Sequence, residues 1–186
     1  RARQRGRAGD PHLGQPAVSG AAGGPRPGLV FESRSESETA RLAARFAGTF
    51  EPAPGRAVRV GLSGDLGAGK TTFVRGLLRQ LGVTRAIRSP TYSLVERYDV
   101  GGFEVMHADL YRLESPEALA ALALDDADRP GGLWLVEWPE LGGAALPAPD
   151  LALSLEVEGE VHRILAQPLT PEGANWLHRL GAAAGA

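Results

Sequence analysis

One short segment constrains the fold of this chain more than any other. It reads Gly64-Asp65-Leu66-Gly67-Ala68-Gly69-Lys70-Thr71 and matches G-x-x-x-x-G-K-[ST], the Walker A or P-loop pattern. Such a loop must follow a strand and open a helix, because its glycines let backbone N–H groups converge on phosphate oxygens at a helix N-terminus. Alternating apolar residues over 56–63 and apolar residues at helical spacing over 73–81 supply both neighbours. The segment therefore predicts a strand, a loop and a helix around a nucleotide-phosphate site.

Two side chains of this loop carry phosphate chemistry. Lys70 offers positive charge to the β- and γ-phosphates, and Thr71 offers a hydroxyl to Mg²⁺. Lys70 is also the only lysine of the chain, whose other basic residues are all Arg. A guanine-specific N-K-x-D motif is absent, because the only asparagine, Asn175, is followed by Trp176. We therefore expect ATP and Mg²⁺ as cofactors.

Other site patterns fit poorly. The loop glycines are spaced G-x-x-G-x-G, whereas dinucleotide-binding loops have G-x-G-x-x-G. The four histidines have neither H-x-x-x-H nor H-E-x-x-H spacing, so we predict no zinc site. The absence of Cys excludes disulfides, thiolate metal sites and cysteine nucleophiles.

Composition separates a basic leader from an acidic body. Residues 1–28 contain five Arg, one Asp, eleven Gly or Pro and no aromatic residue, which predicts a disordered leader; a transit peptide or an RNA-binding arm is the alternative interpretation. Residues 29–186 carry 15 basic and 21 acidic residues and are predicted to form one P-loop ATPase domain. The net charge of -2 gives no sign of direct nucleic-acid binding.

The chain is expected to be cytoplasmic and to have no membrane partner. No apolar run approaches the ~18 residues that a membrane-spanning helix needs. The lack of Cys also suits a reducing compartment.

Periodicity and turn residues divide the body into alternating helices and strands. A capping box at Ser35-Glu36-Ser37-Glu38 opens a first helix, and Gly101-Gly102 marks a hairpin turn. The further predicted elements are strands over 92–98 and 103–108, a helix over 115–124, a fully buried strand over 132–138, a hairpin of strands over 151–157 and 161–167, and a helix over 170–181. The predicted fold is α/β, a P-loop NTPase-like sheet of mixed parallel and antiparallel strands flanked by helices in a single domain.

Two carboxylates follow buried strands and are the candidates for metal binding and water activation. Glu137 ends the strand that contains residues 133–136, and Asp109 ends the strand over 103–108. P-loop proteins need such an acidic residue at the end of a neighbouring strand, to hold the Mg²⁺ shell or to polarise water. Without a P-loop beside it, either carboxylate would be interpreted as a solvated strand end.

Four blocks in order resemble the bacterial TsaE (YjeE) family. They are residues 64–73, Ser89-Pro90-Thr91-Tyr92-Ser93-Leu94-Val95, His107-Ala108-Asp109-Leu110-Tyr111-Arg112 and Leu135-Val136-Glu137-Trp138-Pro139-Glu140. The resemblance covers about residues 30 to 181, and its second and third blocks are more specific than the P-loop. It implies a small P-loop ATPase that acts with TsaB and TsaD. The implied product is the threonylcarbamoyl modification on the adenosine beside the anticodon of ANN-decoding tRNAs, with tRNA contacted only through the complex.

The same resemblance implies roles for individual residues. Thr71 and Glu137 would coordinate Mg²⁺, while Thr91 and Asp109 would belong to a switch-like region that faces the γ-phosphate. Together with Lys70, the last three are the catalytic candidates. The candidate nucleotide-binding residues are Gly64, Asp65, Leu66, Gly67, Ala68, Gly69, Lys70, Thr71 and Thr72 in the loop, Glu36 and Thr39 in the first helix, and Arg163 in the late hairpin.

Some roles stay open at the level of sequence. Arg88 and Arg112 are candidates for neutralising charge on a transferring phosphoryl group, but each could equally be a surface arginine. Trp138 is expected near the phosphates, and Trp134 in the core. A small-molecule kinase, or a non-catalytic module whose binding surface depends on ATP, is the alternative function.

Overall fold

A single seven-stranded sheet organises the part of the chain that the computed structural model describes, residues 27–122 and 124–183. The strands are β1 (Leu29–Ser33), β2 (Val58–Ser63), β3 (Val95–Val100), β4 (Phe103–Asp109), β5 (Leu133–Glu137), β6 (Leu151–Glu158) and β7 (Val161–Pro168). They lie in the order β1-β7-β6-β2-β5-β4-β3. Apart from residues 27 and 28, the predicted leader lies outside the described residues.

The sheet mixes parallel and antiparallel pairs, as predicted. Strand β2 runs parallel to both β5 and β6, and β4 runs parallel to β5. The pairs β1–β7, β6–β7 and β3–β4 are antiparallel. The carboxyl ends of β2, β5 and β4 therefore meet at one edge of the sheet, which is where α/β proteins bind ligands.

Helices cover one face of this sheet and 3₁₀ segments cover part of the other. In the described ranges the α-helices are α1 (Glu36–Gly48), α2 (Lys70–Gln80) and α3 (Pro171–Ala182). Phe46 on α1 lies at the centre of their shared core, in edge-to-face contact with Phe73 and Trp176. On the opposite face, Trp134 and Val136 pack beneath 3₁₀ segments that include 116–122. Strand β5 is therefore buried on both faces, as its apolar sequence predicted.

The helix N-termini agree with the sequence signals. The Ser35 hydroxyl accepts a hydrogen bond from the Glu38 N–H at 3.2 Å, and the Glu38 carboxylate accepts one from the Arg34 N–H at 2.8 Å. The first bond caps α1 as the sequence predicted, and the second reaches the residue before the N-cap, one position earlier than in a capping box. Thr170 caps α3, whose first residue is Pro171.

Three local features differ from the prediction. Strand β3 begins at Val95 and not at 92, because the segment turns at Leu94, which has a φ of 60° and donates its N–H to the Pro90 carbonyl. The predicted helix over 115–124 consists of 3₁₀ segments at 116–122 and 124–127, whose three-residue period keeps apolar side chains on one side. Strand β1 was not predicted; it pairs with β7 at the edge of the sheet.

Asp150 joins three elements on the side of the sheet where β2 begins. Its carboxylate accepts two hydrogen bonds from the Arg56 guanidinium, at 2.8 and 2.6 Å, and one from the Arg59 N–H at 2.8 Å. The Thr170 hydroxyl donates a further bond at 2.6 Å. Asp150 is fully buried, so this network satisfies a charge that would otherwise be costly.

None of the helices in the described ranges is long and apolar enough to pass through a lipid bilayer.

Candidate nucleotide-binding site

The loop between β2 and α2 has the backbone that a phosphate-binding loop requires. Gly64, Gly67 and Gly69 all have positive φ, at 136°, 83° and 102°. At Gly64 a Cβ atom would collide with the Leu155 carbonyl oxygen, so only glycine fits. Lys70 then begins α2 directly, which leaves the helix N-terminus open towards the cleft.

A cleft of about 520 Å³ lies above this loop. It is bounded by the P-loop, the start of α1 and the carboxyl ends of β4 and β5. The lining residues are Glu36, Leu66, Gly67, Gly69, Lys70, Thr71, Thr72, Ser89, Thr91, Asp109, Tyr111, Arg112, Glu137 and Trp138. The fold therefore brings together most of the residues that the sequence predicted for the site.

Lys70 is bound by its own loop. Its ammonium donates hydrogen bonds to the carbonyls of Gly64 and Asp65, at 2.5 and 2.9 Å, and lies 3.7 Å from the centroid of the Trp138 ring. Burial lowers the pKa of Lys70, while the nearby carboxylates, with Glu137 the strongest, oppose that shift. A phosphate entering the cleft would compete with these carbonyls for the three N–H donors of the ammonium.

Trp138 covers this lysine from the end of β5. It adopts a left-handed backbone conformation, with φ 58° and ψ 47°, which is uncommon for a residue other than glycine. Its ring also packs against Tyr111, with centroids 5.1 Å apart. Trp138 therefore lies beside the P-loop, where we expected it.

Thr71 and Glu137 form a pair of oxygen ligands beside the loop. The Thr71 hydroxyl donates to Glu137 Oε2 at 2.9 Å, and Glu137 Oε1 lies 2.9 Å from His107 Nε2. Glu137 is only 2% exposed. A hydroxyl and a carboxylate are hard oxygen donors, and Mg²⁺ sites commonly combine one or two such side chains with phosphate oxygens. The donor set at this position therefore fits a magnesium ion.

Asp109 holds the predicted switch-like segment at the cleft. One of its carboxylate oxygens accepts hydrogen bonds from the hydroxyls of Ser89 and Thr91, the second at 3.2 Å. The other accepts the Tyr111 N–H at 3.1 Å. The two hydroxyls also lie 2.7 Å apart. Asp109 is the register partner of Glu137, so the two carboxylates occupy neighbouring strand ends.

Gly64, Asp65 and Ala68 belong to the loop but do not line the cleft, and neither do two of the three predicted contacts outside the loop, Thr39 and Arg163. Thr39 is buried, and its hydroxyl bonds to the Ser33 hydroxyl at 2.8 Å. The Arg163 guanidinium forms ion pairs with Glu158 at 3.2 Å and Glu32 at 3.7 Å. Both therefore make contacts within the protein and away from the loop.

The two candidate arginines lie in different places. Arg112 lines the cleft and stacks on Tyr92, with its guanidinium carbon 4.6 Å from the ring centroid. Arg88 is exposed and does not line the cleft.

Sequence reasoning missed Ser89 and two histidines. His162 Nδ1 lies 3.1 Å from the Ala68 carbonyl, so β7 contacts the P-loop through His162 and not through Arg163. Alternation could have found it, because His162 shares a strand face with the buried Ile164. The other histidine is His107, next to Glu137.

Fold and sequence together place this chain among α/β proteins with a P-loop between the second strand and the second helix. The family model described as threonylcarbamoyl adenosine biosynthesis protein TsaE matches residues 33–165. The chain belongs to the TsaE family.

Similar proteins agree with this assignment. The tRNA threonylcarbamoyladenosine biosynthesis protein TsaE of Haemophilus influenzae is 39% identical over 120 residues, which are 64% of this chain and 76% of that protein. The protein of the same name from Rickettsia bellii is 39% identical over 131 residues, 70% of this chain and 88% of its own. The crystal structure of Bacillus subtilis YdiB superposes with a TM-score of 0.71 and 26% identity, covering 84% of this chain and 96% of that one.

Proposed function

We propose that this protein binds and hydrolyses ATP with Mg²⁺ in the P-loop cleft. We further propose that this turnover supports, with TsaB and TsaD, the threonylcarbamoyl modification of the adenosine beside the anticodon in ANN-decoding tRNAs. The observation that carries the proposal is the meeting of Lys70 with the Thr71–Glu137 pair at one cleft in a member of the TsaE family. The role in tRNA modification rests on the family.

The proposed chemistry uses positioning and charge, with no covalent intermediate. The P-loop N–H groups and Lys70 would bind the phosphates. Thr71 and Glu137 would hold Mg²⁺, which when bound supplies positive charge to the phosphate oxygens. Asp109, held between Ser89 and Thr91, would orient the attacking water near the γ-phosphate.

Dependence on partners follows from the arginines. Arg112 is the arginine that lines the described cleft, and its guanidinium already stacks on Tyr92. A charge supplied by a partner can accelerate phosphoryl transfer ~10³–10⁵-fold. We therefore propose slow hydrolysis by the isolated protein and stimulation by TsaB and TsaD, in the cytoplasm, with tRNA reached through that complex and no membrane involved.

Phosphate release and ATP affinity, measured for the same variants, test this proposal. Asp109→Ala should lower kcat by at least ~10-fold while changing ATP affinity little, because water positioning matters chiefly in the transition state. Asp99→Ala, at an exposed position of β3, is the matched control and should behave as the wild type. If Asp109→Ala hydrolyses ATP normally, its catalytic role is wrong. If the protein instead transfers phosphate to a metabolite at kinase-like rates, the proposed function fails.

A further inference from the structure

His107 is a fully buried histidine that the proposed chemistry has not used. It lies on β4, one strand away from Glu137, and its exposed fraction is 0%. Its Nε2 atom is 2.9 Å from Glu137 Oε1. Because an ionised carboxylate can only accept, the imidazole N–H at Nε2 must be the donor. The tautomer at this ring is thereby defined by its contact with the candidate metal ligand.

The rest of the histidine ring gains no polar contact. Its Nδ1 atom is buried and has no hydrogen-bond partner among the described residues. A buried polar atom without a partner carries a desolvation cost, and a side chain that only filled space would not incur it. The hydrogen bond to Glu137 is therefore the contact that distinguishes His107 from an apolar residue of similar size.

That hydrogen bond divides the two oxygens of Glu137 between different tasks. Oε1 accepts from His107 on one side, and Oε2 accepts from the Thr71 hydroxyl at 2.9 Å on the other. The hydrogen bond to Oε1 restrains rotation of the carboxylate about its last bond. Oε2 therefore stays directed at Thr71, where the donor set fits Mg²⁺.

We infer that His107 is a positioning residue that orients Glu137 for Mg²⁺. The inference rests on the proposed function, since it concerns the metal of the nucleotide complex. Groups that hold a metal ligand in place typically contribute ~10–100-fold to metal affinity. The contribution of His107 should therefore appear in binding that needs the metal and should be absent from binding that does not.

Three substitutions separate positioning from packing. His107→Gln can place an amide N–H where Nε2 lies and so retains the donor. The amide of His107→Asn is too short to reach Glu137, and His107→Leu removes the polar group altogether. Met106→Leu is the control, because Met106 is buried on the opposite face of the same strand.

Calorimetric titration with ATP, in Mg²⁺ and in EDTA, measures the gain in affinity that the metal provides. We expect this gain to fall ~10–100-fold in His107→Leu and His107→Asn, with ATP affinity in EDTA unchanged. His107→Gln and Met106→Leu should keep the gain within about threefold of the wild type.

Each other outcome overturns the inference. An unchanged gain in His107→Leu and His107→Asn would show that Glu137 needs no such partner. A loss in His107→Gln equal to that in His107→Leu would assign His107 a structural role only. Failure of both His107→Leu and His107→Asn to fold would do the same. Absence of any Mg²⁺-dependent gain in the wild type would instead contradict the proposed function itself, and the inference with it.

Discussion

At the residue scale, the contacts of Lys70 determine which protein groups a bound phosphate would compete with. The ammonium has two carbonyl partners and one aromatic ring, all from the protein. Carbonyls carry partial charge, whereas a nucleotide phosphate carries full negative charge and forms stronger, charge-assisted hydrogen bonds. We therefore expect a bound phosphate to displace these carbonyls and to move the ammonium relative to Trp138.

Lys70→Ala should weaken ATP binding by more than ~100-fold, because charge-assisted hydrogen bonds contribute about 1.5–3 kcal/mol each and this chain has no second lysine. Calorimetric titration measures the change. Lys70→Arg is the matched comparison, because it keeps the positive charge and replaces only the compact ammonium by a guanidinium. Affinity of the alanine variant equal to that of the wild type would disprove the assignment of the P-loop.

Tryptophan emission should report the same exchange. Trp138 is half-buried over Lys70, whereas Trp134 and Trp176 are about 1% exposed and donate their indole N–H groups to the backbone carbonyls of Ala127 and Phe46. Addition of Mg·ATP should therefore change the emission of the wild type. Trp138→Phe, which retains both buried indoles, should lose that change. A response of equal size in Trp138→Phe would place the sensing residue elsewhere.

At the element scale, the segments with strong local signals are the ones that the sequence predicted correctly. The capping box of α1 and the strand and helix around the P-loop depend on contacts between residues close in sequence. Strand β1 and the segment before Val95 depend on residues far away in sequence. Strand β1 needs β7 as its partner, and the segment before Val95 is held by Asp109. Such long-range contacts cannot be found in a local pattern.

The candidate site shows the same division between local and distant information. The P-loop and the carboxylates Asp109 and Glu137 were found because each lies at a recognisable place in its own segment. Ser89 and His107 were not found, because each is marked as a site residue only by its hydrogen bond to a carboxylate on another segment, Asp109 or Glu137. Arg163 was chosen in place of His162, although the two point to opposite faces of β7.

The Asp150 network, which joins β2, β6 and α3, gives stability a specific pH dependence. Burial alone would raise the pKa of Asp150, but hydrogen bonds from Arg56, Thr170 and the Arg59 N–H lower it. A carboxyl whose folded pKa lies below its unfolded value of ~3.9 stabilises the fold fully above that pH. This stabilisation is lost as the pH falls below ~4 through the folded pKa.

Asp150→Asn should therefore lower the free energy of unfolding by ~3 kcal/mol at pH 7, because it leaves Arg56 without its buried counter-charge. Urea denaturation at pH 7 and near pH 3 measures the effect, and the difference between wild type and variant should shrink at the lower pH. Asp99→Asn, on an exposed part of β3, is the control and should change stability by less than ~0.5 kcal/mol. An equal difference at both pH values would contradict the role of the ionised carboxylate.

At the scale of the whole molecule, the strand order assembles the cleft. The parallel strands β2, β5 and β4 deliver the P-loop, Glu137 and Asp109 to one edge of the sheet. The hairpin β6–β7 extends the sheet on the other side of β2 and reaches the loop through His162. The P-loop, Glu137 and Asp109, which are distant in sequence, thus meet at one cleft through the pairing of β2, β5 and β4.

We propose that ATP turnover in this cleft drives the modification of tRNA, and a reconstituted reaction is the decisive test. The measurement is threonylcarbamoyladenosine formed on tRNA over many turnovers by TsaB and TsaD with this protein. We predict that product formation requires this chain and a hydrolysable ATP, and that Lys70→Ala or a non-hydrolysable analogue reduces it to the level without this chain. Equal product formation without the protein, or with Lys70→Ala in its place, would show that ATP turnover in this cleft does not drive the modification.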